Sequence, residues 1–221
     1  NGFEPSNVLS RSHELLEALQ WRYATKKYDS SFTLSQDDLS VLESIIGLTP
    51  SSYGLQPLKY IWIQDPSLRQ KVQSIAMNQQ QITDAAAVLI ICAHNNLDAS
   101  FLDAHADNMR DTRQIEEAQI AGFRAHLHQS IGKMDGQAIR SWNSKQAYIV
   151  LGQLLTACAI LKLDATPMEG FDPQALDLQL GLDQRGLHSV LICTIGRRAK
   201  DDSYQFVKKV RRDKKSIFEQ I

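Results

Sequence analysis

Two stretches, "AAAVLIICA" at 85–93 and "HSVLICTIG" at 188–196, are of strand length and apolar with almost no alternation. A strand with one wet face alternates polar and apolar side chains; a strand that does not alternate is covered on both faces. The chain must therefore build a sheet with at least two interior strands and pack other elements above and below it.

The covering material is helical. "AIRSWNSKQAYIVLGQLLTACAILKL" at 138–163 predicts one long helix, apolar all round from Ala147 onward. Such a helix belongs in a core or a large subunit interface. Its longest uncharged stretch, 146–161, has 16 residues and two glutamines, short of the roughly 18 or more apolar residues of a membrane span. "LSQDDLSVLESIIG" predicts a capped helix. Ser35 is the N-cap, Asp38 closes a capping box, Leu34 and Leu39 form a staple, and Leu39, Leu42 and Ile46 make the buried stripe. Gly47 can end it.

"SRSHELLEALQW" reads as a helix with Leu15, Leu16 and Leu19 on one face. "KYIWIQD" reads as a strand and "DPSLRQKVQSIA" as a helix opened by Pro66. Residues 97–131 read as helical and polar, with a break at "IGKMDG"; "TPMEGFDP" reads as a turn-rich connector before a short helix capped by Asp172. Few strands separated by helices indicate an α+β domain rather than a doubly wound sheet. The 221 residues read as a single domain, with 1–11 set aside as disordered or an appended remnant.

Composition narrows the function. A formal net charge of −1 argues against nucleic acid or an acidic membrane as partner, although 197–215 holds nine Lys/Arg against three Asp. Cys92, Cys158 and Cys193 lie far apart in apolar runs, as buried free thiols in a reducing compartment do; with no signal-peptide pattern, the expectation is a cytoplasmic protein. No GxGxxG, Walker A, GxSxG or HExxH motif occurs. His126 and His128 fall on opposite sides of a helix, a poor metal pair. No acid/base dyad can be named, and an enzyme without evident catalytic side chains carries its chemistry in a cofactor.

One loop is denser than a turn requires. "TPSSYGLQP" at 49–57 packs hydroxyls, a glycine, an amide and two prolines into nine residues. Together with "RYATKKYD" at 22–29, "TPMEGFD" at 166–172 and the late basic "KKVRRDK" at 208–214, in this order, it resembles the FMN-dependent nitroreductase family. The resemblance spans about 15–215.

It implies a nitroreductase-like α+β fold with a central, mostly antiparallel sheet flanked by helices, and an intertwined homodimer with FMN at its interface. It further implies ping-pong transfer of hydride from NADH or NADPH, via flavin N5, to a small-molecule acceptor such as a nitroaromatic, a quinone or a flavin. Arg22, Lys209 and Arg211 would hold the phosphate, with Lys208 or Arg212 as alternatives in register. Lys26 would face the N1 and O2 edge, and Asn78 the pyrimidine. Gln81 stands where some relatives have Lys, which implies a lower flavin potential. Pro167 and Met168 lead to Glu169 and Gly170, whose backbone N–H groups would face N5 and O4, Gly170 through close approach and an unusual dihedral. Ser51 and Ser52 would reach the flavin from the other subunit, Gln56 and Pro57 would fix the loop's exit, and Gly54 stands where the family often has Asn. Tyr23, Ala24 and Pro50 complete the cofactor-binding set. No metal and no catalytic side chain is implied. Phe101, Phe123 and Trp142 are candidates for the acceptor pocket, with core packing the expected fate of each. A flavin reductase on the same scaffold and an FMN-binding protein without turnover are the alternatives.

Overall fold

A computed structural model describes residues 7–221, with side chains from Ser12 onward; the expectation for 1–11 lies largely outside the described residues. The elements run α1 (Asn7–Trp21), α2 (Gln36–Gly47), β1 (Leu58–Trp62), α3 (Pro66–Ile75), α4 (Gln81–Asp84), β2 (Ala87–His94), α5 (Ala99–Arg113), α6 (Glu117–Ile131), α7 (Gly136–Ile160), β3 (Asp164–Met168), α8 (Pro173–Leu180) and β4 (Leu187–Gly196). Among the described residues the strands form one sheet of order β1-β2-β4-β3, with every neighbouring pair antiparallel.

The two apolar runs are the interior strands β2 and β4, and their side chains divide between two layers. Leu89, Ile91, Leu191, Cys193 and Ile195 pack with α2 and α7 on one face. Val88, Ile90, Cys92 and Ile192 pack with Val72 of α3 and Leu176 of α8 on the other. Each fully buried leucine or isoleucine here contributes about 1.5–3 kcal/mol. The cysteines are buried free thiols, and burial pushes Cys92 and Cys158 up to about 12.

Helix α2 begins as its sequence requires: Ser35 Oγ accepts from Asp38 N, and Asp38 Oδ2 accepts from Ser35 N. The region read as one helical stretch is two helices. Gln114 takes a left-handed conformation (φ 53°) that ends α5. An ion network then joins α5 to α6, in which Arg124 meets Asp103, Asp107 and Glu117. Phe101, Phe123 and Trp142 pack against the apolar cluster beneath these two helices, as expected of core aromatics.

Two further readings change. The first residues of "TPMEGFDP" are strand rather than connector, since Thr166 pairs with Thr194 and Pro167 with Cys193. β3 is an edge strand, where the missing proline N–H costs no ladder bond. The apolar face of α1 is uncovered by the rest of the chain: Leu15, Leu16 and Leu19 are exposed and Ala18 is the buried residue.

Candidate cofactor site

The segment after α1 is laid along the β3 edge by polar contacts. Thr166 Oγ1 donates to Thr25 O at 2.8 Å, and the buried Tyr28 hydroxyl reaches Thr166 and Thr194. Gly196 allows this approach, because a Cβ there would lie 2.9 Å from the Tyr28 ring and 3.2 Å from Ala86 N. Asp202, 1% exposed, holds the segment from the other side, accepting from Tyr23 Oη, Lys26 N and Lys27 N at 2.8, 2.8 and 3.1 Å. Burial pushes this carboxyl up, but the bonds together hold it below the ordinary range. Arg198 stacks between Trp21 and Tyr23, at 4.1 and 4.5 Å from the ring centres, while paired to the buried Asp164 at 2.7 Å.

This packing leaves cations together. Arg22 is half-buried, and its pKa is lowered by burial and then by Arg211. Lys209 is lowered by burial, Arg22, Arg211 and Arg198. Its Nζ donates to Gln20 O at 2.7 Å, which brings the tail back to the end of α1. Among the described residues, none of Arg22, Lys209 and Arg211 has an ion-pair partner. Lys209 and Arg211 are the tail residues coupled electrostatically to Arg22, whereas Arg212 turns to Ser216 O. Lys26 is exposed, its ammonium 5.4 Å from the centre of the Tyr204 ring.

At the other end of β3, Glu169 and Gly170 meet the loop before α4. Gln79 Nε2 donates to Gly170 O at 3.0 Å, and a Cβ on Gly170 would lie 3.3 Å from Met77 Sδ. A side chain at 170 would have to displace the exposed Met77 thioether. The unusual dihedral is not found, since the positive-φ glycines are Gly54, Gly181 and Gly186. Met77 and Asn78 themselves adopt left-handed φ of 53° and 55°, and Gln81 opens α4. Met168 is buried beneath, Pro167 is half-buried, and the Glu169 carboxylate accepts a hydrogen bond from the Tyr148 hydroxyl of α7.

The loop at 50–56 makes its contacts elsewhere. Ser52 N donates to Gln146 Oε1 at 2.9 Å, Gln56 N to Ser51 Oγ at 2.8 Å, and Gln56 Nε2 to Gly47 O at 2.9 Å. Pro57 O accepts from His94 N, so both Gln56 and Pro57 fix the exit into β1. Tyr53 (φ 56°), Gly54 (φ 71°) and Gln56 (φ 45°) are all left-handed. That conformation accounts for the glycine at position 54. Left-handed non-glycine residues cost of order 1–3 kcal/mol and concentrate at functional loops; Tyr53 and Gln56 lie in the loop singled out by sequence, and Met77 and Asn78 in the turn before α4. The structure therefore brings 22–26, Gln79 and 167–170 to the β3 edge, with Lys209 of the tail at the end of α1, while Pro50 is exposed, Ser51, Ser52 and Gly54 bond within their own loop and to α7, and Tyr53 O meets His105.

Several positioning residues escaped the sequence reading: Gln79, Gln146, Tyr148, Arg198 and Asp202. Gln146 had a signal, being a polar residue in the apolar part of α7. The others depend on partners 20 or more residues away, which no local pattern reports. His128 pairs with Asp103 at 2.8 Å, and His126 lies edge-on to Tyr53.

Comparison with known proteins places this arrangement. The model of the nitroreductase family matches residues 19–197. The chain belongs to the nitroreductase family. It is 30% identical over 197 residues to the oxygen-insensitive NAD(P)H nitroreductase of Salmonella typhimurium, covering 84% of this chain and 88% of that protein. A Bacillus subtilis crystal structure described as a nitroreductase superposes with a TM-score of 0.86 at 18% identity, covering 95% and 100% of the two chains. An Exiguobacterium sibiricum nitroreductase structure, in complex with FMN, superposes with a TM-score of 0.80 at 16% identity over 94% and 97%. The last two show the fold alone. Among the described residues no helix of this nitroreductase-family chain is long and apolar enough to cross a membrane.

Proposed function

We propose that this chain is an FMN-dependent NAD(P)H oxidoreductase that reduces nitroaromatic or quinone acceptors in two half-reactions sharing one binding face. The observation that carries the proposal is the unpaired cluster of Arg22, Lys209 and Arg211. Gathering three cations without a carboxylate is unfavourable: after burial, Arg211 lowers the proton affinity of Arg22, and Arg22 and Arg211 lower that of Lys209. A phosphate dianion reverses that balance and suits the forked donors of arginine. The residues present thus fit the phosphate end of FMN. The family membership and the nitroreductase name of the Salmonella relative support the same reading.

Bound FMN would supply the redox chemistry, accepting two electrons from NADH or NADPH and passing them to the acceptor. The chain's own residues bind and orient it. Arg22, Lys209 and Arg211 fix the phosphate, Lys26 places a positive charge at one edge of the ring, and Asn78 offers an amide to the pyrimidine. Glu169 and Gly170 would present their backbone N–H groups; their carbonyls accept from Phe171 N and Gln79 Nε2. Gln81 provides a neutral donor where a lysine would add charge.

The test is an absorbance spectrum of the purified protein under anaerobic conditions, before and after NADH or NADPH. Flavin bands that bleach, and return on adding menadione or a nitroaromatic, are expected. Bands that return only with free flavin identify a flavin reductase, and bands that never bleach identify a binding protein. Arg22→Ala is expected to weaken FMN binding by about 10–100-fold, the value of one charge-assisted phosphate contact. Unchanged affinity would remove Arg22 from the phosphate site.

A further inference from the structure

Tyr148 lies outside every sequence motif, on a turn of α7 where Ala147 and Val150 face the core. Its ring is exposed, and its hydroxyl donates to the Glu169 carboxylate. Glu169 is exposed too, in the connector directly after β3. A hydrogen bond between two exposed side chains stabilises a fold little. This one ties a rigid 25-residue helix to the connector.

The connector is held on two other sides. Phe171, 7% exposed, anchors it in the apolar layer, and Gln79 Nε2 holds Gly170 O. The backbone is therefore fixed without Tyr148. What Tyr148 alone fixes is the Glu169 carboxylate, a few bonds from the N–H groups offered to the ligand. The bond raises the phenol's pKa, chiefly through Glu169 itself, so the phenol remains a donor at neutral pH.

We propose that Tyr148 is a positioning residue that pins and partly neutralises the Glu169 carboxylate, and so sets the reduction potential of the cofactor bound beside it. This rests on the FMN reading above. A reduced flavin carries more negative charge than an oxidised one, so a free carboxylate beside it disfavours reduction. A carboxylate that accepts a phenol proton, held against α7, disfavours it less.

The experiment is a dye-linked redox titration of FMN-loaded wild type, Tyr148→Phe, Glu169→Gln and the double variant. Tyr148→Phe is expected to move the two-electron midpoint negative by about 30 mV, the shift equal to a tenfold change in the equilibrium constant. Glu169→Gln is expected to move it positive, and Tyr148→Phe to add nothing in the Glu169→Gln background. A merely structural contact would not shift the midpoint in opposite directions from its two ends. Flavin that binds to all four proteins with one common midpoint, or with additive shifts, overturns the inference and leaves the FMN reading standing. Wild-type protein that takes up no FMN overturns both.

Discussion

His188, on β4, is 5% exposed and wired at both ring nitrogens. Nδ1 lies 2.9 Å from Asn95 Oδ1, an acceptor that also takes a bond from Arg140, so Nδ1 carries the hydrogen; Nε2 lies 2.9 Å from Ser144 Oγ, whose hydroxyl also donates to Arg140 O at 2.8 Å. Burial first, and the Arg140 charge second, lower its pKa to about 4. The folded state therefore keeps this ring neutral, while the unfolded chain protonates it near 6.5. The unfolded state binds the extra proton between those values, so stability rises with pH from about 4 to 6.5 and falls as pH drops through that window. The contribution is about 3 kcal/mol at most. His188→Asn, which keeps a donor toward Asn95, is expected to flatten this slope in urea unfolding measured at pH 4.5 and 7. An unchanged slope would assign it to other groups, of which His94 is shifted in the same direction. Little of this was legible beforehand. At 188 the sequence shows a histidine opening an apolar strand, and nothing nearby names Asn95 or Ser144. Motif residues were more readable because their type is dictated locally, as with Gly54 in a left-handed turn and Ser35 at a helix start.

Elements were legible where one physical signal dominated. The non-alternating runs became β2 and β4, and the capping box and Pro66 marked helix starts. Errors fell where tertiary pairing overrode local chemistry: Thr166-Pro167-Met168 looks like a turn and becomes a strand because β4 offers an edge. The clamp at the start of that strand is the element-scale counterpart of the proposed phosphate site. Asp164, 3% exposed, accepts from Arg198 N at 2.8 Å and Nε at 2.9 Å, and the guanidinium is held between Trp21 and Tyr23. It fastens the end of α1 to β3, and with it the segment that carries Arg22. Arg198→Met is expected to destabilise the protein by about 3–5 kcal/mol, because it strands a buried carboxylate. Adding Asp164→Asn should recover part of that loss, seen as a higher urea midpoint in the double variant. A single variant as stable as wild type would show that Asp164 is satisfied without Arg198.

At the scale of the whole molecule, two observations have one explanation. Leu15, Leu16 and Leu19 on α1, Ile149, Ile160 and Leu161 on α7, and Phe206, Val207 and Val210 in the tail are exposed on the single chain. The Ser51-Ser52 loop, meanwhile, is bonded to its own α7 rather than to the β3 edge where the other site residues gather. We propose a homodimer that buries these faces, with each site built from the Arg22 cluster of one subunit and the Ser51-Ser52 loop of its partner; it would account for both. Two defective chains separate this arrangement from a site built within one subunit. Arg22→Ala damages the cluster, and Ser51→Ala with Ser52→Ala damages the loop, so each homodimer binds FMN weakly. In a heterodimer of the two, a shared site concentrates both lesions in one half and leaves the other half intact. Equal amounts, unfolded and refolded together, are expected to regain about a quarter of the wild-type tight sites, since half of randomly paired dimers are mixed and each holds one intact site. A site contained in one chain gives no intact half in any pairing. FMN titration of the co-refolded mixture, against the two variants refolded separately, reads the difference directly; no gain in tight sites would place the loop and the cluster in the same subunit.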